Sequence, residues 1–132
     1  MPAFTLNCGD TFLTGDGNED SFHLWIVLSP PTEGEVVTAC LVTAHKRSER
    51  LVVLNKGDHP FVQHESVIAY RFSQIRTVED IQELLRSGAA KQRDPVSQVL
   101  LKRIQAGLLD SDFTPNGVRA YYRLVVPEEH TS

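Results

Sequence analysis

The segment 57–65, which reads GDHPFVQHE, gathers side chains that can transfer protons or bind a metal. Asp58, His59 and His64 could supply the three protein ligands that a catalytic zinc site uses. However, Pro60 excludes a helix through the two histidines, and their spacing of five residues matches no common helical pair. We therefore expect a structural loop in which Asp58 accepts hydrogen bonds from backbone amides. A metal-dependent hydrolase at this loop is kept as an alternative.

A second group of polar side chains stands where predicted strands begin or end. His23 opens the apolar run at 23–29, directly after an acidic loop, and Thr43 and His45 close the run at 35–44. Strand ends that lead into polar loops often carry binding or catalytic residues, because a rigid scaffold positions them at the surface. Ordinary surface residues that mark the end of a strand are the alternative, and the sequence leaves it open.

Other catalytic motifs are absent from the sequence. There is no glycine-rich turn of the dinucleotide-binding or Walker type, and there is no nucleophile elbow. The two cysteines, Cys8 and Cys40, are too few for a disulfide scaffold. Both stand among apolar neighbours, so we expect core thiols in a reducing compartment. We accordingly predict neither a cofactor nor a bound metal.

Length and charge narrow the class of protein. The 132 residues suffice for one domain with a core, and 41% of them are hydrophobic, as in ordinary globular proteins. No stretch is apolar enough to span a bilayer and the N-terminus lacks a signal-peptide pattern, so we expect a cytoplasmic protein without a membrane partner. A net charge of -4 argues against a protein that coats nucleic acid. Local basic grooves are still allowed, at 45–50 and at the segment 84–94, which we predict to be helical.

Turn residues divide the first two thirds of the chain into five predicted strands. Glycine, proline, aspartate and asparagine stand between short apolar runs, at a spacing typical of a small antiparallel barrel. The strands are predicted at 8–14, 23–29, 35–44, 50–54 and 66–75. From residue 77 the hydrophobic period becomes helical. We therefore predict one α+β domain over 1–132, with a β-barrel at about 8–76 and helices at about 77–126.

Capping residues set the predicted bounds of the helices. Thr77 is placed to cap a first helix, which Gly88 ends. Asp94, followed by a proline, starts a second helix, and Gly107 is placed to end it. The segment 116–126 is either a short helix or a closing strand, and the sequence does not decide between them.

Four short segments carry a resemblance to a known family: GD at 9–10, WIVLS at 25–29, LVT at 41–43 and SQIRT at 73–77. In order and spacing they resemble the MazF/PemK family of ribonuclease toxins, over residues 8–107. The resemblance implies an SH3-like β-barrel with appended helices, which forms a homodimer. It also implies cleavage of single-stranded RNA without a metal, and an antitoxin-like protein or peptide as partner.

The resemblance also implies roles for individual residues. Thr43 falls at the position of the family's active-site threonine, and His23 falls at that of its catalytic arginine. Histidine can act as a general acid or base near neutral pH, but it lacks the permanent bidentate charge of arginine. Glu19 or Asp20, in the place of the family's substrate loop, would position a base. The 2′-hydroxyl would attack the adjacent phosphorus, as in other cyclising ribonucleases.

Basic residues near the strand ends are assigned to the RNA backbone. His45, Lys46 and Arg47 follow the strand that ends at Thr43, and Arg71 lies in the strand predicted at 66–75. A non-enzymatic interaction module on the same barrel is the alternative function. The missing arginine and the net negative charge favour it, and its partner would be a peptide such as an antitoxin-like tail.

Overall fold

A computed structural model describes residues 5–15 and 22–127. Seven strands, three α-helices and one 3₁₀ turn make up this part of the chain. The strands are β1 (Thr11–Gly15), β2 (Phe22–Val27), β3 (Glu35–Thr43), β4 (Val53–Leu54), β5 (Ser66–Ile68), β6 (Gln74–Thr77) and β7 (Ala90–Arg93). The helices are α1 (Val78–Ser87), α2 (Gln98–Asp110) and α3 (Asn116–Val125), and the 3₁₀ turn is Tyr70–Phe72. Within the described residues, no helix is long and apolar enough to cross a membrane.

The strands form one antiparallel sheet around β3, the longest strand. Their order is β4-β5-β3-β2-β1-β7, and β6 also pairs with β3. The N-terminal half of β3 pairs with β6, while its C-terminal end pairs with β5 on the way to the next turn. An antiparallel sheet with helices confirms the predicted α+β class.

The single strand predicted at 66–75 is wrong, because the chain breaks it into β5, the 3₁₀ turn and β6. Thr43 pairs with Ser66, whereas Thr38 pairs with Gln74. Five steps along β3 thus correspond to eight steps along its partner, and the 3₁₀ turn absorbs the three extra residues. The turn lets one continuous segment pair with two parts of β3.

Side chains of β2 and β3 alternate between two faces of the sheet. Leu24 pairs with Leu41, and Trp25 pairs with Cys40 one step away, so the two pairs lie on opposite faces. The Leu41 face packs against apolar residues of α2 and α3. The Cys40 face packs against α1 and β7. Two separate apolar clusters therefore hold the helices to the sheet.

The first helix begins and ends where the sequence predicts. The Thr77 hydroxyl accepts a hydrogen bond from the Asp80 amide at 3.0 Å, and Gly88, with φ of 83°, ends α1 in the left-handed conformation that favours glycine. The helix predicted through 84–94 is wrong beyond Ser87. After the glycine, buried Ala90 pairs with Thr14, and the chain becomes strand β7.

The second helix differs from its predicted bounds at both ends. Ser97, not Asp94, caps α2, and its hydroxyl accepts the Leu100 amide at 3.2 Å. The helix continues through Gly107 to Asp110. The absence of a side chain at Gly107 makes room for the phenol of Tyr70, whose hydroxyl donates to the carbonyl of Ile104 at 2.9 Å. This glycine therefore serves packing rather than helix termination.

The third helix settles the choice that the sequence left open, because the segment after Pro115 forms α3 rather than a closing strand. The cysteines lie in apolar surroundings, as expected: Cys40 is buried and Cys8 is half-buried. Burial raises the pKa of the Cys8 thiol, which keeps it protonated at neutral pH.

Candidate nucleic-acid interface

A cavity of about 250 Å³ opens at the end of the Cys40 face. Its floor is apolar and consists of Val42, Val67 and Ala69. Val42 lies two residues beyond Cys40 and pairs with Val67, so the cavity continues the same face of the sheet. The rim is polar and aromatic, with the side chains of His45, Arg47, Ser48, Glu49, Arg71 and Phe113. Three of the four residues predicted to bind RNA thus meet around one cavity.

The tight turn after β3 fixes the orientation of the His45 ring. The His45 amide donates to the Ser48 hydroxyl at 2.9 Å, and the Ser48 amide donates back to the His45 carbonyl at 3.1 Å. The Arg47 amide donates to Nδ1 of His45 at 3.2 Å. Because Nδ1 accepts this bond, the neutral ring carries its proton on Nε2. His45 is therefore a hydrogen-bond donor at its outer nitrogen, a role that suits a phosphate oxygen.

Cationic and aromatic groups lie at or beside the rim. The guanidinium of Arg71 lies 4.6 Å from the ring centre of Phe72, as in cation–π pairs. Within the described residues, neither Arg71 nor Arg47 forms an ion pair with a carboxylate. Phe113 is 61% exposed, although an aromatic ring gains by burial. Unpaired guanidinium groups beside exposed rings are the combination with which proteins bind single-stranded nucleic acid.

One carboxylate faces these cations. Oε2 of Glu49 accepts a hydrogen bond from the Ser111 hydroxyl at 2.5 Å, and the Ser111 oxygen accepts the Phe113 amide at 3.0 Å. The other carboxylate oxygen, Oε1, is buried and has no hydrogen-bond partner among residues 5–15 and 22–127. Ser111 therefore joins the turn that carries Glu49 to the loop that carries Phe113.

The structure does not bring His23 and Thr43 together. Thr43 lies two residues beyond Leu41 and therefore on the Leu41 face, where it is exposed and pairs with Ser66. His23 precedes Leu24 and therefore lies on the Cys40 face. His23 is half-buried and does not line the cavity.

The remaining predicted site residues near the cavity lie apart from it. Lys46 is exposed at the tip of the turn and does not line the cavity. Glu19 and Asp20, which were expected to position a base, lie outside the described residues.

The 57–65 loop is held by its own side chains. His59 is buried; its Nδ1 accepts the Phe61 amide at 3.0 Å and its Nε2 lies 2.5 Å from the carbonyl of Asp94. Asp58 accepts the amide of Asn55 at 2.7 Å, which is the backbone capping expected of it. His64 is exposed. Both nitrogens of His59 are engaged, Nδ1 within its own loop and Nε2 to the segment before α2, so neither is free for a ligand.

Metal ligands do not gather elsewhere either. Across residues 5–15 and 22–127, no three histidine, cysteine, aspartate or glutamate side chains lie close enough to hold a metal ion.

Another arginine lies on the Cys40 face. The Arg76 guanidinium stacks 4.3 Å from the Trp25 ring centre and 5.8 Å from that of Phe12. Burial lowers the pKa of Arg76, while nearby Cys40 and Asp80 act in the opposite direction. The Trp25 ring is fixed in turn, because its Nε1 donates to the Thr14 hydroxyl at 2.9 Å. Arg76 and Trp25 thus pack together on the face that leads to the cavity.

Sequence reasoning missed three residues at this interface: Glu49, Ser111 and Phe113. Phe113 offered one signal, since an aromatic residue in the polar segment 110–115 is unusual for a plain surface turn. Glu49 and Ser111 offered none, because they are 62 residues apart and meet only in the folded chain.

Comparison with known proteins agrees with this architecture. A chain of the MazE–MazF crystal structure (Form-II) from Deinococcus radiodurans has a similar fold, with a TM-score of 0.54 and 14% sequence identity. The match covers 82% of this chain and 95% of that chain. No protein-family model matches the sequence, and no curated protein matches it significantly. The likeness shows a MazF-like fold.

Proposed function

We propose that this chain is a toxin-like endoribonuclease that binds single-stranded RNA at the cavity and cleaves it without a metal. The observation that supports this most is the meeting of His45, Arg47 and Arg71 around one cavity of a MazF-like fold. A guanidinium can hold a phosphate through two parallel hydrogen bonds, and the Nε2 proton of His45 adds a third donor. Phe113 offers a surface on which a base can stack.

The proposed reaction is a transesterification within the RNA. The 2′-oxygen forms a bond to phosphorus and the bond from phosphorus to the 5′-oxygen breaks, which leaves a cyclic phosphate. A base takes the proton of the 2′-hydroxyl, and an acid returns a proton to the departing 5′-oxygen. His23 is proposed for one of these transfers, because it lies on the same face of the sheet as the cavity floor. The two arginines stabilise the negative charge on the phosphorane.

Cleavage of a mixed-sequence RNA in the presence of chelator tests this function. We expect the wild type to cleave, and we expect His23→Ala and Arg47→Ala to lose most of the activity. Arg123→Ala is the matched control, since Arg123 is an exposed arginine on α3, which packs against the other face of the sheet. Cleavage that needs a metal, or that persists in both His23→Ala and Arg47→Ala, would contradict the proposal.

Partners follow from the same proposal. The similar structure is of a MazE–MazF complex, so we propose an antitoxin-like protein or peptide as a partner. We also propose a homodimer as the assembly, as the sequence resemblance implies. Light scattering coupled to size exclusion measures the assembly directly. A monomer at all concentrations would remove the homodimer from the proposal.

A peptide-binding module without catalysis is the second candidate. It is favoured by the state of His45, whose outer nitrogen carries a proton and is not placed to act as a base, and by the separation of His23 from Thr43. In this case an acidic peptide would bind at the cavity through Arg47 and Arg71. Binding of such a peptide without any RNA turnover would select this candidate.

A further inference from the structure

Among the described residues, Glu49 is the one carboxylate that lines the cavity. Its Oε2 accepts from Ser111, whereas its Oε1 is buried and has no hydrogen-bond partner in this part of the chain. A buried polar atom without a hydrogen bond is costly, and in native proteins it commonly marks the place of a ligand, an ion or a water. No residue within 5–15 and 22–127 supplies a donor to Oε1.

The chemistry around Glu49 limits what that donor can be. The neighbouring rim groups are themselves donors: His45 through Nε2, and the guanidinium groups of Arg47 and Arg71. These three groups suit the oxygens of a phosphate, which a carboxylate would repel. A carboxylate accepts well from a hydroxyl, however, and in a nucleotide the hydroxyl nearest the phosphate is that of the ribose.

We propose that Glu49 is a specificity-determining residue, which accepts a hydrogen bond from a ribose 2′-hydroxyl and so favours RNA over DNA at the cavity. The inference rests on the proposed function, since it needs a nucleic acid at this site. The 2′-hydroxyl is the group by which proteins distinguish the two nucleic acids. With it, each part of a ribonucleotide has a counterpart on the rim: cations for the phosphate, Glu49 for the ribose and Phe113 for the base.

Ser111 positions Glu49 for this task. Its hydroxyl donates to Oε2 while its oxygen accepts the Phe113 amide, so one side chain orients both the carboxylate and the aromatic ring. The carbonyl of Ser111 also accepts a hydrogen bond from Arg119 on α3. Glu49, proposed to contact the ribose, and Phe113, proposed to contact the base, are thus both held by Ser111 in the α2–α3 loop.

Binding measurements test the inference without any need for cleavage. Fluorescence anisotropy would compare three single strands of the same mixed sequence: RNA, DNA and 2′-O-methyl RNA. A length of about ten nucleotides falls within the range that single-strand-binding folds cover. We expect the wild type to prefer RNA by about tenfold, the effect of one hydrogen bond to a charged acceptor. The 2′-O-methyl strand, which lacks the donor, should bind like DNA.

Variants assign the preference to Glu49. Glu49→Ala should bring the RNA-to-DNA ratio close to one without weakening DNA binding, because the removed charge repels phosphate. Glu79→Ala, at an exposed glutamate of α1, is the matched control and should keep the preference. If Glu49→Ala fails to fold, the comparison of RNA with 2′-O-methyl RNA on the wild type still decides whether the hydroxyl is read.

The outcomes separate the inference from the function on which it rests. Equal binding of RNA and DNA by the wild type, with both weakened in Arg47→Ala, overturns the role of Glu49 and leaves the proposed site intact. A preference for RNA that persists in Glu49→Ala overturns it as well. Failure of the wild type to bind either strand overturns the proposed function itself.

Discussion

The backbone amide of Arg47 donates to Nδ1 of His45 over 3.2 Å, and this contact decides which proton the ring can offer. It leaves the proton of the neutral imidazole on Nε2, where it can be donated to a phosphate oxygen. A glutamine at position 45 would place its side-chain amide nitrogen close to the position of Nε2. Glutamine can donate a hydrogen bond but cannot transfer a proton, so this substitution separates the donor role from acid–base catalysis.

We accordingly predict that His45→Gln keeps most RNA affinity, whereas His45→Ala loses about tenfold, the value of one hydrogen bond to a charged group. Anisotropy titrations of RNA measure both. Equal loss in the two variants would contradict a donor role. A large loss of cleavage with unchanged binding in His45→Gln would show instead that the ring transfers a proton.

The opposite orientations of His23 and Thr43 lead to a second prediction. Only His23 shares the face of the cavity, so His23→Ala should reduce RNA cleavage strongly. Thr43→Val should change cleavage by no more than about twofold, as for an ordinary surface substitution. Initial rates at saturating RNA measure the difference. Comparable losses in both variants would mean that the RNA passes around the strand end and contacts both faces.

The buried His59 should matter for stability and not for chemistry. His59→Ala removes the acceptor of the Phe61 amide and one of the two partners of the Asp94 carbonyl, which keeps the Thr11 hydroxyl, so we expect a loss of about 1–3 kcal/mol in the free energy of unfolding. The exposed His64, replaced by alanine, is the control and should change stability by less than about 0.5 kcal/mol. Urea denaturation measures both. Loss of RNA cleavage at unchanged stability would contradict a purely structural loop.

Packing around Gly107 gives a fourth prediction. A methyl group at Gly107 would collide with the phenol of Tyr70, whose hydroxyl bonds the carbonyl of Ile104. Gly107→Ala should therefore lower the free energy of unfolding by about 1–3 kcal/mol, although alanine is the better helix former. Gly117→Ala in α3, where a methyl group meets no neighbour, is the control and should be neutral or stabilising. Unchanged stability in Gly107→Ala would contradict the prediction and show that the core can repack around a methyl group at this position.

Alkaline pH should weaken the protein through its buried tyrosines. Burial, together with a smaller contribution from nearby Cys8, raises the pKa of Tyr122 to about 12, and burial also raises the pKa of Tyr70. Because the folded-state pKa lies above the unfolded value of about 10, the unfolded chain loses these protons first as pH rises. Stability is therefore complete below pH 10 and falls between about pH 10 and 12.

Denaturation midpoints across this pH range measure the effect. Tyr122→Phe removes one of the titrating groups, so its stability should fall less steeply with pH than that of the wild type. An identical slope in the variant would contradict the assignment to Tyr122.

Local signals in the sequence determined the class of fold and several boundaries. Alternating apolar runs and turn residues predicted the α+β arrangement, and Thr77 and Gly88 set the ends of α1, because a cap acts through atoms only a few residues away. The sequence also indicated that Asp58 would bond nearby amides, which is again a local interaction. Cleavage of RNA, the partners and the roles of the site residues stay predictions.

Long-range pairing decided what local patterns could not. A strand over 84–94 was not foreseen, because β7 exists through its pairing with β1, some 80 positions earlier in the chain. Tyr70, at the break between β5 and β6, packs into the space left by Gly107 in α2, and this contact joins distant elements. The cavity likewise depends on the tertiary structure. The alternation of side chains along β3 decides on which face of the sheet the cavity lies, and the Glu49–Ser111 bond brings the β3–β4 turn to the loop before α3. Residue spacing in the sequence does not predict the Tyr70–Gly107 contact or the Glu49–Ser111 bond, because neither pair is separated by a regular period of a helix or a strand.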